Sequence, residues 1–580
     1  MDGSGGVGAR ARAVGTLLAA WALLCGCTAA VGEETTPRPV PRESAPQVQR
    51  DRPGQTPQPD LAGSRPDIVM VLMDDFSMDL LPTMRSARRM SRTGAGYDHF
   101  VVDSLCCVSR ASLMTGQYPH QTGVRTNTSE GLLPYGGYPA FARYGNGPRS
   151  VNVRLQQTGY TTAFVGKYLN EFEYVPGVRD APPVPPGWSQ FHVLFGSAYD
   201  GWGFDSTALV DGALRVRSHP APPAGSPTAV LDAAYAGQVV EDYALDFIAG
   251  QRGSADPYFL QVAPYAPHNR VNPEGAYPGD PVFPAAFRDR PGGRKAGGDC
   301  GRVACSSLTV KDLPGFGDNR RDNVPRTRAG KRARAWNTMR PLAAGGATAR
   351  LRDRARMVQS IDRTVSRILR AVDEDTLVVL TSDNGFHLGQ LGLGMGKGTA
   401  YDTDVRVPLL VTGPGVAPGQ RQGLTSNLDL APTFEELAGL TPAPYRSGRS
   451  LVPSLADRTA PTGDHVFFEH TTGTAGGDPD RAFTGGELMR IPSFVAVRSR
   501  EALLVRSDLD PSPDSVRHGY ELYPYDKHPW EKKNKYGVRK YAGLQRDLMR
   551  RLRDFDRCTG VTGDAPVPAR CRRLTGTPTS

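Results

Sequence analysis

Apolar residues occur along this chain in two patterns, as short uninterrupted runs and as runs with helical spacing. In Arg350–Val372 they recur every three or four positions, which predicts a helix with one buried face, and a shorter helix is predicted near Leu430–Ala438. Five other runs have the length and composition of buried strands, namely Ile68–Met73, Thr161–Val165, Tyr258–Ala263, Thr376–Thr381 and Val407–Thr412. Because strand and helix signals alternate, the predicted fold class is α/β.

The pattern changes after about Ser447. His465–Glu469 and Phe494–Arg506 are predicted to be strands, the second a hairpin that turns near Ser499 and Arg500, and a helix is predicted from about Arg539 to Phe555. We therefore predict a main domain over residues 66–446, followed by a small α+β subdomain over residues 447–580.

The N-terminus is typical of an exported protein. Arg10 and Arg12 precede an apolar run, Val14–Leu24, that is too short to span a membrane. The run ends in Leu24-Cys25-Gly26-Cys27, which resembles a bacterial lipoprotein box with Cys27 as the lipidated residue; the alternative is an ordinary signal peptide cleaved nearby. We predict a signal peptide over residues 1–27, a Pro-rich disordered tether over 28–65, and a cell-surface lipoprotein or secreted product.

Charge is distributed unevenly. The 580 residues carry a formal net charge of +10, yet residues 285–356 alone hold 18 Lys and Arg against 6 Asp and Glu, an excess of 12. This segment overlaps a predicted loop insertion at about 285–350. It is either a surface that attracts an anionic polymer such as a sulfated glycan, or a solvated loop without a partner. No nucleic-acid-binding motif accompanies it, so nucleic acid is not an expected partner.

The cysteines outside the signal peptide divide into two kinds. Cys300 and Cys305 are close in sequence, as are Cys558 and Cys571, and each pair is expected to form a short-loop disulfide in an oxidising compartment. Cys106 and Cys107 are adjacent, and the geometry of a disulfide disfavours a bond between neighbours. They therefore need another explanation.

Polar residues follow four of the predicted strands directly or within a few positions. In open α/β sheets the ligand site lies beyond the carboxyl ends of the strands, so these residues are expected to meet there. Three carboxylates and an amide are ligands that Ca²⁺ or Mg²⁺ prefers over zinc, and they predict one divalent cation. The polar residues that follow the four strands are Asp74, Asp75, Lys167, His268, Asp383 and Asn384. The three carboxylates and the amide among them are the predicted ligands.

The segment Cys106-Cys107-Val108-Ser109-Arg110, followed by Thr115-Gly116, resembles the Cys-x-Pro-x-Arg signature of the sulfatase family. The other family motifs also match, and the subgroup most similar is that of the N-acetylglucosamine-6-sulfatases and extracellular heparan sulfatases. The resemblance covers roughly residues 66–440 and implies an alkaline-phosphatase-like fold with a large central mixed sheet flanked by helices. The further matches are Asp74-Asp75, Gly166-Lys167, Pro267-His268, Ser382-Asp383-Asn384-Gly385 and Gly396-Lys397-Gly398-Thr399.

The resemblance implies a sulfuric ester hydrolase that acts on a sulfated sugar or glycan. A formylglycine-generating enzyme would oxidise Cys106, and the hydrated aldehyde would attack sulfur and release inorganic sulfate. Arg110, Lys167 and Lys397 would neutralise the sulfate oxygens, His268 or Lys397 would protonate the leaving alcohol, and His387 would act as a base. The cation, Ca²⁺ in first place and Mg²⁺ in second, would be held by Asp74, Asp75, Cys106, Asp383 and Asn384.

Two positions depart from the family pattern. Val108 replaces the proline that the modifying enzyme reads, which would slow or prevent oxidation of Cys106. Leu169 stands two residues after Lys167, where many arylsulfatases have histidine, so the missing imidazole is expected to come from His387 or His120.

Two other functions are compatible with the sequence. A phosphate or phosphonate ester hydrolase of the same superfamily would use a similar cationic pocket, although phosphatases of this kind usually need a second metal and more His and Asp ligands. If Val108 blocks the modification, the chain would instead be a non-catalytic glycan-binding lipoprotein.

Overall fold

The computed structural model describes residues 61–574 apart from 130–134, 211–212, 292–298, 302, 474–477, 485–487 and 511–516. The predicted signal peptide and nearly all of the predicted tether lie outside these residues. None of the helices described is long and apolar enough to cross a membrane.

The strands form one large sheet and three smaller ones. They are β1 Ile68–Met73, β2 Ala95–Val101, β3 Thr161–Gly166, β4 Gln190–Val193, β5 Phe204–Val210, β6 Ala213–His219, β7 Tyr258–Ala263, β8 Leu377–Ser382, β9 His387–Leu388, β10 Met395–Gly396, β11 Leu410–Thr412, β12 Gly419–Ser426, β13 His465–His470, β14 Phe494–Ser499, β15 Ala502–Asp510 and β16 Arg517–Pro524.

The large sheet has the order β12-β2-β11-β8-β1-β7-β3-β4. Strands β8, β1, β7, β3 and β4 run parallel to one another, and β11 is antiparallel to both β8 and β2. The predicted mixed sheet is therefore confirmed. Strands β1 and β8, whose sequences both lead into acidic pairs, are direct neighbours in register from Ile68 and Leu377 to Met73 and Ser382.

The core lies on both faces of this sheet because successive side chains of a strand point in opposite directions. Along β1, Ile68, Met70 and Leu72 belong to one hydrophobic cluster, while Val69, Val71 and Met73 belong to another on the opposite face. Both faces are covered, which explains why the strand is an unbroken apolar run instead of an alternating one.

Helices cover both faces. They are α1 Arg85–Thr93, α2 Cys106–Thr115, α3 Pro119–Thr122, α4 Gly137–Arg143, α5 Asn146–Arg149, α6 Val151–Gln157, α7 Thr228–Ala233, α8 Ala236–Gln251, α9 Ala344–Ala371, α10 Asp402–Val405, α11 Leu430–Leu437, α12 Val452–Ala456, α13 Arg481–Thr484, α14 Ala542–Asp556 and α15 Ala569–Leu574. Short 3₁₀ helices occur at Met78–Thr83, Gly196–Asp200, Phe287–Asp289, Cys305–Ser307, Val310–Asp312, Arg320–Asn323, Asn427–Asp429, Leu488–Arg490 and Arg539–Tyr541.

The two helices predicted in the main domain are present with shifted ends. Helix α9 buries Val358, Ile361, Val365 and Ile368, the apolar positions whose spacing predicted it, but begins at Ala344, inside the predicted basic insertion. Arg354 on its buried face is fully enclosed and donates to the backbone oxygen of Asp75 and to Ser77 Oγ (3.0 Å). Arg354, one of the basic residues of this segment, therefore forms hydrogen bonds at the end of β1 instead of facing solvent.

The C-terminal strands form a separate antiparallel sheet of order β13-β14-β15-β16. The predicted hairpin turns between Ser499 and Ala502, as expected from the sequence. A bridge between Arg326 and Tyr520 extends this sheet with part of the basic segment. Both predicted disulfides are confirmed, Cys300–Cys305 and Cys558–Cys571.

Candidate active site

The carboxyl ends of β1, β8, β3 and β7 bring the predicted polar residues into one buried cluster. Asp74 and Asp75 follow β1, and the backbone N–H of Asp75 donates to Asp383 Oδ1 (3.1 Å), just after the neighbouring strand β8. Lys167 follows β3, and His268 lies five residues after the end of β7. All of these residues are at most 2% exposed, so the convergence expected from the sequence is present.

Cys106 is the first residue of α2 and faces the same cluster. Its backbone N–H donates to Asn384 Oδ1 (2.6 Å), and Asn384 Nδ2 donates to Asp75 Oδ1 (2.7 Å). Cys107 is also buried, but its N–H donates to Asn127 Oδ1 (3.2 Å). Burial raises the pKa of Cys106 well above its usual value, although Lys397 opposes this effect, so the unmodified thiol is protonated and a weak nucleophile.

Two cations pair with the acids on one side of the cluster. Lys167 Nζ donates to Asp74 Oδ2 (2.7 Å), and Arg110 Nε donates to Asp383 Oδ2 (2.8 Å). Burial disfavours both charges, but the carboxylates outweigh it and raise the pKa of Lys167 and of Arg110. Both cations therefore remain charged where a buried anion would need them.

A third cation lies against Cys106. Lys397 Nζ is 2.6 Å from Cys106 Sγ, 2.6 Å from Asp75 Oδ1 and 2.9 Å from Asp480 Oδ1. Burial opposes its charge, but Asp480 and Asp75 raise its pKa well above the usual value. In an oxidised residue the position of Sγ would be taken by oxygen, so the ammonium group is placed to stabilise negative charge there.

Asp480 is part of the cluster and was not among the predicted site residues. Its Oδ1 accepts from His268 Nε2 (2.7 Å), and its Oδ2 accepts from Asn127 Nδ2 (2.7 Å). Burial alone would favour the neutral acid, but Lys397 and His268 hold the pKa of Asp480 well below its usual range. Asp480 lies 374 residues from Cys106 and belongs to no motif, so the sequence alone offered no signal for it.

His268 is held in a doubly hydrogen-bonded position. Its Nδ1 bonds the backbone oxygen of Asn269 (2.7 Å), and its Nε2 bonds the Asp480 carboxylate (2.7 Å). Burial lowers its pKa, but Asp75 and Asp74 outweigh this and the net shift is upward. A ring with two acceptors carries both protons, as a proton donor to a leaving group requires.

The two other histidines considered from the sequence have different positions. His387 in β9 lies opposite Gly396, next to Lys397, and its Nδ1 bonds Asp404 Oδ1 (2.8 Å). His120 bonds Glu469 Oε2 (2.7 Å) and packs beside Tyr118 and Phe555, and none of its described contacts is with the cluster. Of the two, only His387 is placed beside the site.

The donor set fits a hard divalent cation. Asp74 Oδ1 and Asp75 Oδ2 are buried and accept no hydrogen bond from the described residues, which leaves two carboxylate oxygens for a metal. Ligand atoms of Asp74, Asp75, Cys106 and His268 all lie within 4.8 Å of one another. Asp383 and Asn384 join this group through hydrogen bonds to Asp75, although Asn384 Oδ1 is engaged by the N–H of Cys106. The predicted ligands are therefore gathered around one position.

Comparison with known proteins agrees with this site. Residues 66–440 match the family model described as Sulfatase, and the chain belongs to the sulfatase family. Human N-acetylglucosamine-6-sulfatase is 29% identical over 407 residues, which are 67% of this chain and 64% of the human protein. An N-acetylglucosamine-6-O-sulfatase of Bacteroides thetaiotaomicron is 22% identical over 544 residues, 84% of this chain and 86% of that protein. The match thus spans just under two thirds of the human relative.

Solved structures share the fold at low sequence identity. One, a complex with its substrate D-glucosamine-2-N,6-O-disulfate, aligns with 86% of this chain and 98% of its own at a TM-score of 0.57 and 19% identity. The phosphonate monoester hydrolase of Agrobacterium radiobacter aligns with 85% of this chain and 96% of its own at a TM-score of 0.57 and 17% identity. These alignments identify the alkaline-phosphatase-like sulfatase fold.

Proposed function

We propose that this protein is an exported hydrolase that removes sulfate from a sulfated sugar or glycan. The observation that carries the proposal is the buried cluster in which Cys106 is enclosed by Lys397, Asp75 and Asn384 at hydrogen-bonding distance. Export is supported by the signal-like N-terminus and by relatives named extracellular sulfatases, such as the Drosophila melanogaster protein, 26% identical over 424 residues.

Two groups would complete the proposed site. Formylglycine derived from Cys106 would supply a hydrated aldehyde as the nucleophile. A divalent cation, Ca²⁺ in first place, would be held by Asp74, Asp75, Asp383, Asn384 and the residue at 106 and would neutralise charge on the sulfate group. The proposed cation is supported by Asp74 Oδ1 and Asp75 Oδ2, which are buried and accept no hydrogen bond from the described residues.

The remaining residues have roles that follow from their positions. Lys397 holds negative charge at the side chain of residue 106, and Lys167 and Arg110 keep the acidic side of the cluster neutral. Doubly protonated His268 is the donor of a proton to the leaving alcohol. Asp404 orients the imidazole of His387, which is the candidate base.

A cavity of about 330 Å³ is a candidate position for a further part of a sulfated glycan. It is lined by Arg334, Trp336 and Arg490, among others. Arg490 ends the 3₁₀ helix whose Leu488 packs on Gly398, next to catalytic Lys397. Guanidinium groups beside an aromatic ring suit a further anionic group on the same glycan.

Hydrolysis of a sulfate ester and a phosphate ester of the same phenol tests this function. We expect a higher kcat/KM for the sulfate ester, because Asp74 Oδ1 and Asp75 Oδ2, which accept no hydrogen bond from the described residues, mark one cation position, whereas phosphatases of this superfamily usually have two. A clear preference for the phosphate ester would favour the alternative hydrolase. No hydrolysis of either ester by fully modified protein, together with retained glycan binding, would favour the non-catalytic alternative.

A further inference from the structure

Asp480 is bound as an oxoanion would be. Its two carboxylate oxygens accept hydrogen bonds from His268 Nε2 (2.7 Å) and Asn127 Nδ2 (2.7 Å), and Oδ1 forms an ion pair with Lys397 Nζ (2.9 Å). The three donors come from three separate parts of the chain and converge on one anionic group. Charged donors arranged around a planar carboxylate also suit the oxygens of a sulfate group.

The same carboxylate lies beside the reacting side chain. Cys106 Sγ is 3.9 Å from Asp480 Oδ2, and both residues are fully buried. A group that is to be attacked must approach its nucleophile to roughly 3–3.5 Å. The position that the sulfate of a substrate must reach is therefore filled by the chain's own carboxylate.

Residues 478–484, which we call the Asp480 segment, close the site over this position. The N–H of Asp480 donates to Asp478 Oδ1 (3.0 Å), and Asn127 Nδ2 also reaches Asp478 Oδ1 (3.1 Å). Thr484 at its end packs against Gly396, the neighbour of Lys397. The Asp480 segment ends in α13, a helix of four residues, so few backbone hydrogen bonds would be lost if it moved.

We propose that, until a substrate binds, Asp480 occupies the position of the substrate's sulfate group, so that a substrate must displace the Asp480 segment, and that Asn127 then joins His268 and Lys397 in holding the sulfate group. The inference rests on the proposed function, because it identifies the reacting group as a sulfate. Its consequence is that the apparent affinity for the substrate is lowered, because only the fraction of molecules in which Asp480 has left the cluster can bind it.

Affinity for inorganic sulfate tests the proposal without any turnover. Isothermal titration calorimetry would compare wild type, Asp480→Asn and the control Arg481→Gln, which changes the next residue, at an exposed position, and shifts the net charge by one unit in the opposite direction. If the displaced state is a tenth of the population or less, Asp480→Asn binds sulfate at least about tenfold more tightly, and Arg481→Gln does not. Equal or weaker binding by Asp480→Asn would overturn the proposal.

Hydrogen exchange on the wild type keeps the proposal testable if Asp480→Asn does not fold. Saturating sulfate is expected to accelerate amide exchange in the Asp480 segment, because Asp480 is fully buried in the cluster and its N–H becomes accessible to solvent when the segment moves. Unchanged or slower exchange would contradict displacement. Tighter sulfate binding by Asp480→Asn without ester hydrolysis by the wild type would leave this inference standing and reject the proposed function, so the two failures are distinguishable.

Discussion

Val108 is the third residue of α2 and stands where the sulfatase signature has proline. The N–H groups of the first helical turn have no partner within the helix, so proline at this position would cost no helical hydrogen bond. We expect Val108→Pro to raise the fraction of Cys106 converted to formylglycine when the protein is produced with a formylglycine-generating enzyme. Mass spectrometry of the peptide that carries Cys106 measures this fraction, and an unchanged value would mean that the enzyme tolerates valine.

Asp383 accepts hydrogen bonds on both of its carboxylate oxygens. Its Oδ2 accepts from Arg110, and its Oδ1 accepts the N–H groups of Asp75 and Asn384. Asp383→Asn is expected to lower affinity for Ca²⁺ at least about tenfold, since one of the carboxylates of the site loses its charge, and to abolish turnover. Calcium titration calorimetry measures the affinity.

The matched control for Asp383 is Asp375→Asn, an exposed acid next to the opposite end of β8. It should leave calcium affinity unchanged. Wild-type calcium affinity in Asp383→Asn would remove Asp383 from the proposed metal site.

Single residues also mark the limit of what the sequence could predict. Asp74, Lys167, His268 and Asp383 were predicted because each follows an apolar run that forms a parallel strand, and strand ends meet at one edge of the sheet. Asp480 was missed because it reaches the cluster from a segment between β13 and β14, outside the central sheet. No pattern in the sequence of that segment indicates that its side chains lie near the site.

Among the elements, strands that are buried on both faces were predictable from the sequence. Strands that combine polar and apolar residues were not. The five predicted runs all appear in the central sheet, although only Leu410–Thr412 of the fifth forms a strand. Strands β2, β4 and β12 were not predicted, because Ala95–Val101 contains Gly, Asp and His, Gln190–Val193 is short and alternates polar with apolar residues, and Gly419–Ser426 is largely polar. Strand β12 lies at the edge of the sheet, where polar side chains face solvent and the apolar signal is weak.

The end of β3 depends on a glycine. Gly166 has φ +107°, and a Cβ there would lie 2.0 Å from the backbone oxygen of Ala263 in β7. Gly166→Ala should therefore separate β3 from β7, displace Lys167 and lower the thermal unfolding temperature. The control is Gly177→Ala. Gly177 has a φ of +70°, but no atom lies within 4 Å of the Cβ that alanine would add, so this variant measures the cost of the backbone conformation alone. Equal losses in both variants would contradict the steric explanation.

For the molecule as a whole, Asp103 links the end of β2 to the C-terminal sheet. Its Oδ1 accepts from Asn427 Nδ2 (2.9 Å), and its backbone oxygen accepts the N–H of Glu469 (3.1 Å). Burial raises the pKa of Asp103 from 3.8 to about 7. The folded state therefore retains a proton that the unfolded chain has lost, and the contribution of Asp103 to stability falls as pH rises from about 4 to about 7.

Asp103→Asn removes this titration. The free energy of unfolding of the wild type, relative to the variant, should decrease by up to ~1.4 kcal/mol for each pH unit within that window. Urea denaturation at several pH values measures the difference between the two proteins. A difference that does not change with pH would show that Asp103 is ionised in the folded protein.

In the proposed function, the protein releases sulfate through the residue at position 106. The most direct test of this function is the release of inorganic sulfate from glucosamine 6-sulfate by protein produced with a formylglycine-generating enzyme, compared with Cys106→Ala made in the same way. We predict release by the wild type and none above background by Cys106→Ala, because the alanine side chain cannot be converted to the aldehyde. Equal release by both proteins would contradict the account.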